Sequence, residues 1–389
     1  TNFAGRLDLT TDLTKGVSAG VGMQVVTTLG VEHNLVDSVW SNAHTAAASS
    51  GAAFAGGAQV DSAMWLDEVW LAGSAFDTTL KIGRQSLDTP LAFTEKWGVD
   101  KNTFEAVVLI NQSIKDTTLV GTYIGKSNGS ADDRASASEG GAGNLNDIGV
   151  ATNGAISAAA GYVAANGDFS TFGTNGTYAY GIVNNSVKPL TVQAWYYDMV
   201  RLAKAYWLQA DLNIDGVLAG VQYMNTKADA ASSADTTGYS AMVGYKMKDV
   251  ATFKAAYSSI DDDGLLGVAN TATGSFATKG GKSKLYTEMW WNYGNVSAVG
   301  ADSYSITAET TVGPKIGLLA GFYVADIAPK GAGLALFEEK EVREITLAAS
   351  KSFGPLDTAL ALIFADTDAL NNANDVKSTD VQVYLTYNF

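Results

Sequence analysis

Apolar and polar residues alternate with a period of two along most of the chain, the pattern of a β-strand with one apolar and one polar face. The last segment shows it clearly, because residues 381–389 place Val, Val, Leu, Tyr and Phe on one parity and Gln, Tyr, Thr and Asn on the other. Residues 206–212 and 217–223 repeat the scheme around a tight Asp-Gly corner, which predicts a hairpin. No apolar run is long enough for a membrane helix, whereas strands of about 9 to 11 residues can cross a bilayer when tilted. The pattern predicts an all-β fold.

The connections between the predicted strands alternate between short and long. Short ones fall at 213–216 and 313–315, for example, and long ones at 30–59, 127–172 and 261–300. Short periplasmic turns and long outer loops are typical of membrane barrels, and a terminal Phe is the usual last residue of such barrels in bacteria. The sequence therefore predicts a transmembrane antiparallel β-barrel whose third outer loop is long enough to fold into the lumen.

We count about seventeen strands, an odd number. If the last strand runs toward the periplasm, the first strand, near residues 3–10, must run the same way, and two such neighbours cannot close an antiparallel barrel. We therefore expect eighteen strands, with one more before Thr1, and interpret residues 1–389 as a single barrel domain. A soluble β-sandwich array or β-helix is the alternative, although such folds rarely show this asymmetry of loop length.

The composition fits a barrel wall better than an ordinary soluble domain, since only 17% of the residues are charged and Gly outnumbers Pro by 41 to 5. Without cysteine, the chain has no disulfide, thiol nucleophile or Cys-ligated metal. The net charge of −15 argues against a nucleic-acid partner, which requires a basic surface.

The sequence contains no recognisable catalytic motif. The two histidines, His33 and His44, lie in one predicted loop, and no serine stands at triad or elbow spacing from either of them. A phosphate-binding loop is also missing from the sequence. We expect the protein not to be an enzyme and to require no cofactor.

Four short stretches carry a resemblance to a known family: Gly-Arg-Gln-Ser-Leu-Asp-Thr-Pro at 83–90, Asn-Thr-Phe-Glu-Ala at 102–106, Ser-Ile-Lys-Asp-Thr-Thr-Leu at 113–119 and Ala-Trp-Tyr-Tyr-Asp at 194–198. Together they resemble the OprD-type porins and the related major outer membrane porins of epsilon-class Proteobacteria. The resemblance implies an 18-stranded barrel in the bacterial outer membrane, in contact with lipid and lipopolysaccharide, with an inward-folded third outer loop. It also implies passive diffusion of small solutes and, as in some members, a homotrimer.

The chain departs from this family in its basic residues. OprD-type channels resemble one another in a ladder of basic residues that guides carboxylates along the lumen, but this sequence has only five arginines: Arg6, Arg84, Arg134, Arg201 and Arg343. Most of them fall at predicted strand ends, in a loop or near a rim, so no ladder can be built from the set. Carboxylate specificity is therefore not carried over.

If the more apolar parity faces lipid, the other parity lines the lumen. That face is less polar than a general water-filled porin requires, which favours a path for neutral, weakly polar or apolar small molecules. Alternatively, these side chains pack as buried core beneath inward-folded loops. The predicted wall residues are Lys81, Glu105, Trp207, Asp211, Met224, Met242, Lys254, Glu309 and Tyr323.

Charged residues in the 127–172 loop form a candidate constriction. Acids set against a base can produce a transverse field, and rings of acids select cations; a solvated loop with scattered charge is the alternative. The candidate residues are Asp132, Asp133, Arg134, Glu139 and Asp147. The pair 132–133 and the acidic run 261–263 could also hold calcium, although contiguous acids lack the alternate spacing of a calcium loop.

An aromatic stretch at residues 286–293 contains Met289, Trp290 and Trp291. Such a stretch in a long outer loop is not expected to stand bare in water. It could fold over the channel mouth as a lid, or its rings could join the aromatic girdle at the membrane interface.

The sequence thus predicts an outer-membrane porin for passive, selective diffusion of small solutes, neutral and weakly polar or apolar ones first and cations second. The competing hypothesis is a structural or adhesive surface barrel whose lumen is plugged by its loops.

Overall fold

The computed structural model describes eleven segments of the chain. They are residues 3–27, 63–96, 101–128, 169–173, 175–229, 234–264, 266–272, 281–313, 315–330, 339–369 and 375–389.

These segments contain eighteen β-strands and a turn of 3₁₀ helix at Tyr293–Asn295. The strands are β1 (Phe3–Thr14), β2 (Val17–Thr27), β3 (Ala63–Ala75), β4 (Thr78–Gln85), β5 (Phe104–Asn111), β6 (Thr117–Ser127), β7 (Ser170–Thr171), β8 (Thr177–Asn184), β9 (Leu190–Met199), β10 (Ala203–Ile214), β11 (Val217–Ala228), β12 (Thr236–Met247), β13 (Ala251–Ile260), β14 (Ala301–Val312), β15 (Ile316–Ile327), β16 (Lys340–Phe353), β17 (Leu356–Ala369) and β18 (Val376–Tyr387). No helix in the described part of the chain is long and apolar enough to cross a membrane. The all-β prediction is confirmed.

Each long strand pairs antiparallel with the next long strand along the chain, and β6 pairs with β8 beyond the two-residue β7. The result is one sheet of seventeen long strands, which confirms the count of about seventeen. Because neighbours alternate in direction, β1 and β18 run the same way, and within the described segments each pairs along one edge only. The eighteenth strand and the single-domain interpretation stay predictions.

A two-residue turn between β10 and β11 shows why the short connections are tight. Asp215 and Gly216 both have positive φ, 49° and 88°, as a type I′ hairpin turn requires. A Cβ at Gly216 would lie 2.6 Å from the carbonyl oxygen of Lys246 on the neighbouring strand, so the position also has no room for a side chain. The predicted Asp-Gly hairpin is confirmed.

One face of the sheet, the outer face, is apolar and exposed. Directly opposed residues of paired strands share a face, and exposed apolar side chains follow one another from strand to strand, as Leu71, Ile82 and Val107 do. Toward the edge of the wall that carries most of the long connections, this face bears paired tyrosines with ring centroids 4.9 to 5.4 Å apart. The pairs are Tyr123–Tyr178, Tyr196–Tyr206, Tyr223–Tyr239 and Tyr257–Tyr304. A row of aromatic rings beside an apolar band is typical of a membrane interface.

The opposite face, the inner face, surrounds the described parts of two long connections. We call them L2 (residues 86–96 and 101–103) and L6 (residues 261–264, 266–272 and 281–300). L2 binds Glu68 on β3, L6 binds Gln382 on β18, and the two loops bind one another. Since one joined pair of loops contacts the inner face at both β3 and β18, the sheet curls around them. The enclosed space is the lumen.

The predicted inward-folded third outer loop, 127–172, lies mostly outside the described residues, because 129–168 are not among them. Its position stays a prediction. The inward-folded connections that the structure describes are the second and the sixth.

Candidate functional site

Most of the predicted wall residues lie on the inner face. Trp207, Met224 and Tyr323 are almost fully buried there, in one apolar cluster with Leu285 and Met289 of L6. For these three wall residues the packing interpretation fits the structure. The wall residues on the inner face that are less buried are Lys81, Asp211, Met242, Lys254 and Glu309.

Glu105 lies on the outer face, so its prediction as a wall residue is wrong. Phe104 and Ala106, on either side of it, are the buried residues of β5. Glu105 is the second residue of β5, at the end of the strand that follows L2. Its carboxylate binds Arg84 at 2.9 Å and approaches Lys126 at 3.7 Å. Both faces of β5 are apolar beyond this point, so alternation alone could not separate them.

The inner face of β16 carries a carboxylate that holds L6. Glu344 is fully buried, and its two oxygens accept hydrogen bonds at 2.8 to 3.2 Å from the backbone N–H groups of Trp290, Trp291 and Asn292. The Asn292 side-chain amide and the Thr346 hydroxyl each donate at 2.9 Å. Successive N–H groups that converge on one anion form a nest. This turn of L6 is therefore wrapped around the Glu344 carboxylate.

The aromatic stretch of L6 lies in the lumen and not at the membrane interface. Met289 is buried in the apolar cluster, and the Trp290 indole N–H donates to Gln382 on β18 at 3.1 Å. The girdle interpretation is therefore wrong. Trp290 also lines a cavity of about 710 Å³ that extends to the short turn at Asp249. Trp290 and its neighbour Trp291 thus lie deeper than a lid over the mouth would.

A tyrosine of L6 fits a notch made by a glycine. The Tyr286 hydroxyl donates to Asp211 on β10 at 2.5 Å, and a Cβ at Gly220 would lie 2.3 Å from that hydroxyl oxygen. Burial raises the pKa of Tyr286, and the Asp211 carboxylate raises it further. Gln222 and Ser258, also on the inner face, bind the same loop. L6 is therefore fixed at several points from β10 to β18.

L2 and L6 meet through two neighbouring polar residues of L6. The buried Asn270 side chain accepts from the Phe93 N–H at 3.1 Å and donates to the Phe93 carbonyl at 2.8 Å and to the Glu95 carboxylate at 2.9 Å. Thr271 donates to the Leu91 carbonyl from its N–H at 2.8 Å and from its hydroxyl at 2.6 Å. These bonds join the two loops into one body inside the lumen.

One carboxyl group of this body has a raised pKa. Burial raises the pKa of Glu288 to about 7, and the nearby Glu95 adds to the rise. Lys282, whose ammonium lies 3.6 Å from a Glu288 oxygen, and Ser283, which donates to the other oxygen, act in the opposite direction. Glu288 therefore changes its protonation near neutral pH.

A second charged group on the inner face lies on β1 and β3. A bulge leaves Asp67 without a partner in the register between β2 and β3, so the consecutive acids Asp67 and Glu68 both face the lumen. Arg6 binds Asp67 at 2.5 Å and Asp8 at 2.6 Å. Glu68 binds Lys101 of L2. Strict alternation would have placed the two acids on opposite faces.

Five predicted site residues lie outside the described residues: Asp132, Asp133, Arg134, Glu139 and Asp147. In the acidic run 261–263, Asp262 binds Lys330 at 2.7 Å and Asp261 accepts from the Thr237 N–H at 2.8 Å. Within the segments that the structure describes, no three acidic or histidine side chains gather as metal ligands would. Calcium binding stays a prediction.

Glu344 and Asn270 organise the lumen but carry no local sequence signal. The backbone groups that bind Glu344 lie 52 to 54 residues earlier in the chain, and the L2 partners of Asn270 lie 175 to 177 residues earlier. One general rule could have pointed to them. Buried backbone N–H groups of an inward-folded loop need acceptors, and the acids and amides that face the lumen are the acceptors at hand.

No protein-family model matches the sequence, and no curated protein matches it. Solved structures do match in fold. OccAB4 of Acinetobacter baumannii aligns with a TM-score of 0.66 at 13% identity, covering 99% of this chain and 90% of that one. OccK9 (OpdG) of Pseudomonas aeruginosa gives a TM-score of 0.67 at 14% identity, covering 98% of this chain and 90% of that one.

OpdK of Pseudomonas aeruginosa, solved with vanillate, gives a TM-score of 0.63 at 11% identity and covers 99% of this chain and 93% of its own. Such structures represent the OccK and OprD groups of outer-membrane channels. The chain has their β-barrel fold. At these identities the likeness concerns the fold.

Proposed function

We propose that the protein is an OprD-type channel of the bacterial outer membrane that allows passive, selective diffusion of small, uncharged and weakly polar solutes. Three features support a channel: the exposed apolar outer face with its tyrosine row, the mixed inner face, and the fold shared with outer-membrane channels. A wall between lipid and water needs this arrangement of faces. We propose no enzymatic activity for it.

The proposed preference for uncharged solutes rests on the pairing of charges on the inner face. Arg6 is bound by three acids, Lys254 lies 3.4 Å from Glu309, and Lys81 lies 4.0 Å from the ring centroid of Trp70. A carboxylate solute would have to compete with these partners for each of the three cations, which weakens its attraction. Vanillate, present in the OpdK structure, is an aromatic carboxylate. The paired charges therefore favour uncharged solutes for this chain.

L2 and L6 supply the selectivity by narrowing the lumen. They are tied to the inner face at Glu68, Asp211 and Glu344, and the cavity of about 710 Å³ lies beside Trp290. A space of this size accepts one small solute with some of its water.

Further proposals rest on the sequence alone. They are a cation preference set by residues 132–147, calcium at loop carboxylates, a homotrimer, contact with lipopolysaccharide, and a closer relation to the porins of epsilon-class Proteobacteria.

Liposome swelling tests the proposal with solutes of similar size: an uncharged polyol, an aromatic alcohol, a carboxylate and an ammonium ion. We expect the two uncharged solutes to enter fastest. Fastest entry of the carboxylate would contradict the choice of solute. A purified barrel that passes none of the four, and gives no stepwise conductance in planar bilayers, would contradict the channel itself.

The joined L2–L6 body favours one alternative, a structural or adhesive surface barrel with a plugged lumen. Such a barrel would be silent in both assays, so the same experiment separates the two functions.

A further inference from the structure

We propose that Glu344 is a positioning residue that sets the aperture of the channel, because it holds L6 against the inner face and thereby places Trp290 in the lumen. The inference rests on the proposed channel function and adds the residue that controls the width of the path.

The surroundings of Glu344 are complementary to a carboxylate. Every hydrogen bond it makes is donated to it, by three consecutive backbone N–H groups of L6, the Asn292 amide and the Thr346 hydroxyl. A glutamine of the same size would turn its own NH₂ donors toward some of these N–H groups. A buried N–H group without an acceptor costs free energy. Glu344→Gln should therefore destabilise the position of this turn of L6 against the inner face.

The turn held by Glu344 controls where Trp290 lies. Trp290 is the first of the three residues whose N–H groups bind Glu344, and its indole N–H reaches Gln382 two strands away. The Tyr384 hydroxyl donates to the same Gln382 oxygen at 3.0 Å, which keeps that oxygen in position. Trp290 also forms part of the boundary of the large cavity, together with Glu309. Releasing the turn therefore removes a large ring from the edge of the open space.

Glu344 is fully buried, so its carboxylate does not meet passing solutes. Its influence on the path acts through the loop. This separates it from Lys254 and Glu309, which lie on the inner face with exposed side chains.

Single-channel conductance of Glu344→Gln tests the proposal. Releasing the turn moves the Trp290 ring away from the edge of the open space, while the ties of L6 at Asp211 and Ser258 remain. We therefore expect the conductance to rise on the order of twofold. Glu341→Gln is the matched control, since this acid lies on the same strand but faces outward beside Arg343. Unchanged conductance in Glu344→Gln, or an equal rise in the control, would overturn the proposal.

A double-mutant cycle asks whether Glu344 acts through Trp290. We expect Trp290→Ala to raise the conductance by itself, and the double variant to conduct no more than Trp290→Ala does. If the two effects multiply, Glu344 does not act through Trp290 and the proposal is overturned.

A disulfide between L6 and the wall provides a further test. It does not require that Glu344→Gln folds correctly without an additional tie. The chain has no cysteine, and the hydroxyl oxygens of Ser258 on β13 and Thr287 on L6 are 2.6 Å apart. Cysteines at these two positions would bring their sulfur atoms near one another, as a disulfide requires. In Glu344→Gln carrying Ser258→Cys and Thr287→Cys, we expect low conductance while the disulfide is intact and a rise when a reductant is added to the bilayer chamber. No rise on reduction would count against the positioning role.

If the wild-type barrel conducts no ions, the proposed function is refuted. The comparison with Glu344→Gln still tests the positioning role of Glu344. Conductance that appears only in Glu344→Gln would support the positioning role, whereas silence of both proteins would overturn it.

Discussion

The junction between L2 and L6 depends on one buried amide, and Asn270→Ala should open it. The Asn270 side chain is fully buried and bridges the backbone of Phe93 and the carboxylate of Glu95. Alanine keeps the backbone but removes both the acceptor and the donor of this bridge. The Phe93 carbonyl retains the Asn102 amide as a partner at 3.2 Å, so the main losses are the acceptor for the Phe93 N–H and the hydrogen bond to Glu95.

Those two losses determine how much free energy the closed junction loses in Asn270→Ala. A buried donor left without an acceptor costs about 1 to 3 kcal/mol, and a hydrogen bond to a charged group contributes about 1.5 to 3 kcal/mol. We expect a combined loss of about 3 kcal/mol for the closed junction, which corresponds to a roughly 100-fold larger open population. The strands of the wall should be unaffected, since Asn270 binds only loop residues.

Hydrogen exchange followed by mass spectrometry measures this directly. The amides of Phe93 and Thr271 are bonded in the junction and should exchange roughly 100-fold faster in Asn270→Ala, because exchange follows the open population. Asn225→Ala, at an amide that binds Thr237 near the end of β11, is the control and should leave these amides protected. Unchanged exchange in Asn270→Ala would refute the view that this side chain joins the loops.

Three further outcomes follow from the inner face. The stability that Glu288 gives L6 is complete below the ordinary pKa of 4.5 and is lost as the pH rises through about 7, so L6 amides, corrected for intrinsic rates, should lose protection across neutral pH in the wild type but not in Glu288→Gln. The methyl group of Gly220→Ala should displace the Tyr286 hydroxyl from its carboxylate partner and weaken L6 by about 2 kcal/mol, seen as faster exchange of that loop alone. Asp67→Asn leaves Arg6 less compensated, so the reversal potential in a salt gradient should shift toward anions; a shift toward cations would contradict this.

The wall was predictable because its determinants are local. Alternation, tight turns and loop lengths act within one hairpin, and they gave the strand count and the Asp-Gly corner at residues 215–216 correctly. The failure at Glu105 has a physical cause. The inner side of β5 packs against apolar residues such as Phe172, so both of its faces are apolar and the parity carries no information there.

The lumen was harder to predict because its contacts are not local. The aromatic stretch 286–293 indicated a loop that avoids water, but the acceptor that draws it inward, Glu344, lies on a strand more than 50 residues away. The bulge at Asp67 likewise depends on pairing with β2, and a single strand read by parity gives no sign of it.

The L2–L6 junction joins parts of the chain that are far apart in sequence, and this bears on when it forms during folding. In the described segments each long strand pairs with the next long strand along the chain, whereas the bonds from Thr271 to Leu91 join residues 180 positions apart. Local pairings form early and distant ones late, because closing a longer loop costs more entropy. Leu91 and Thr271 lie on loops that follow β4 and β13, and the strands between these two loops bring them together. We therefore expect the L2–L6 junction to form after the wall pairings, so that the lumen narrows late in folding.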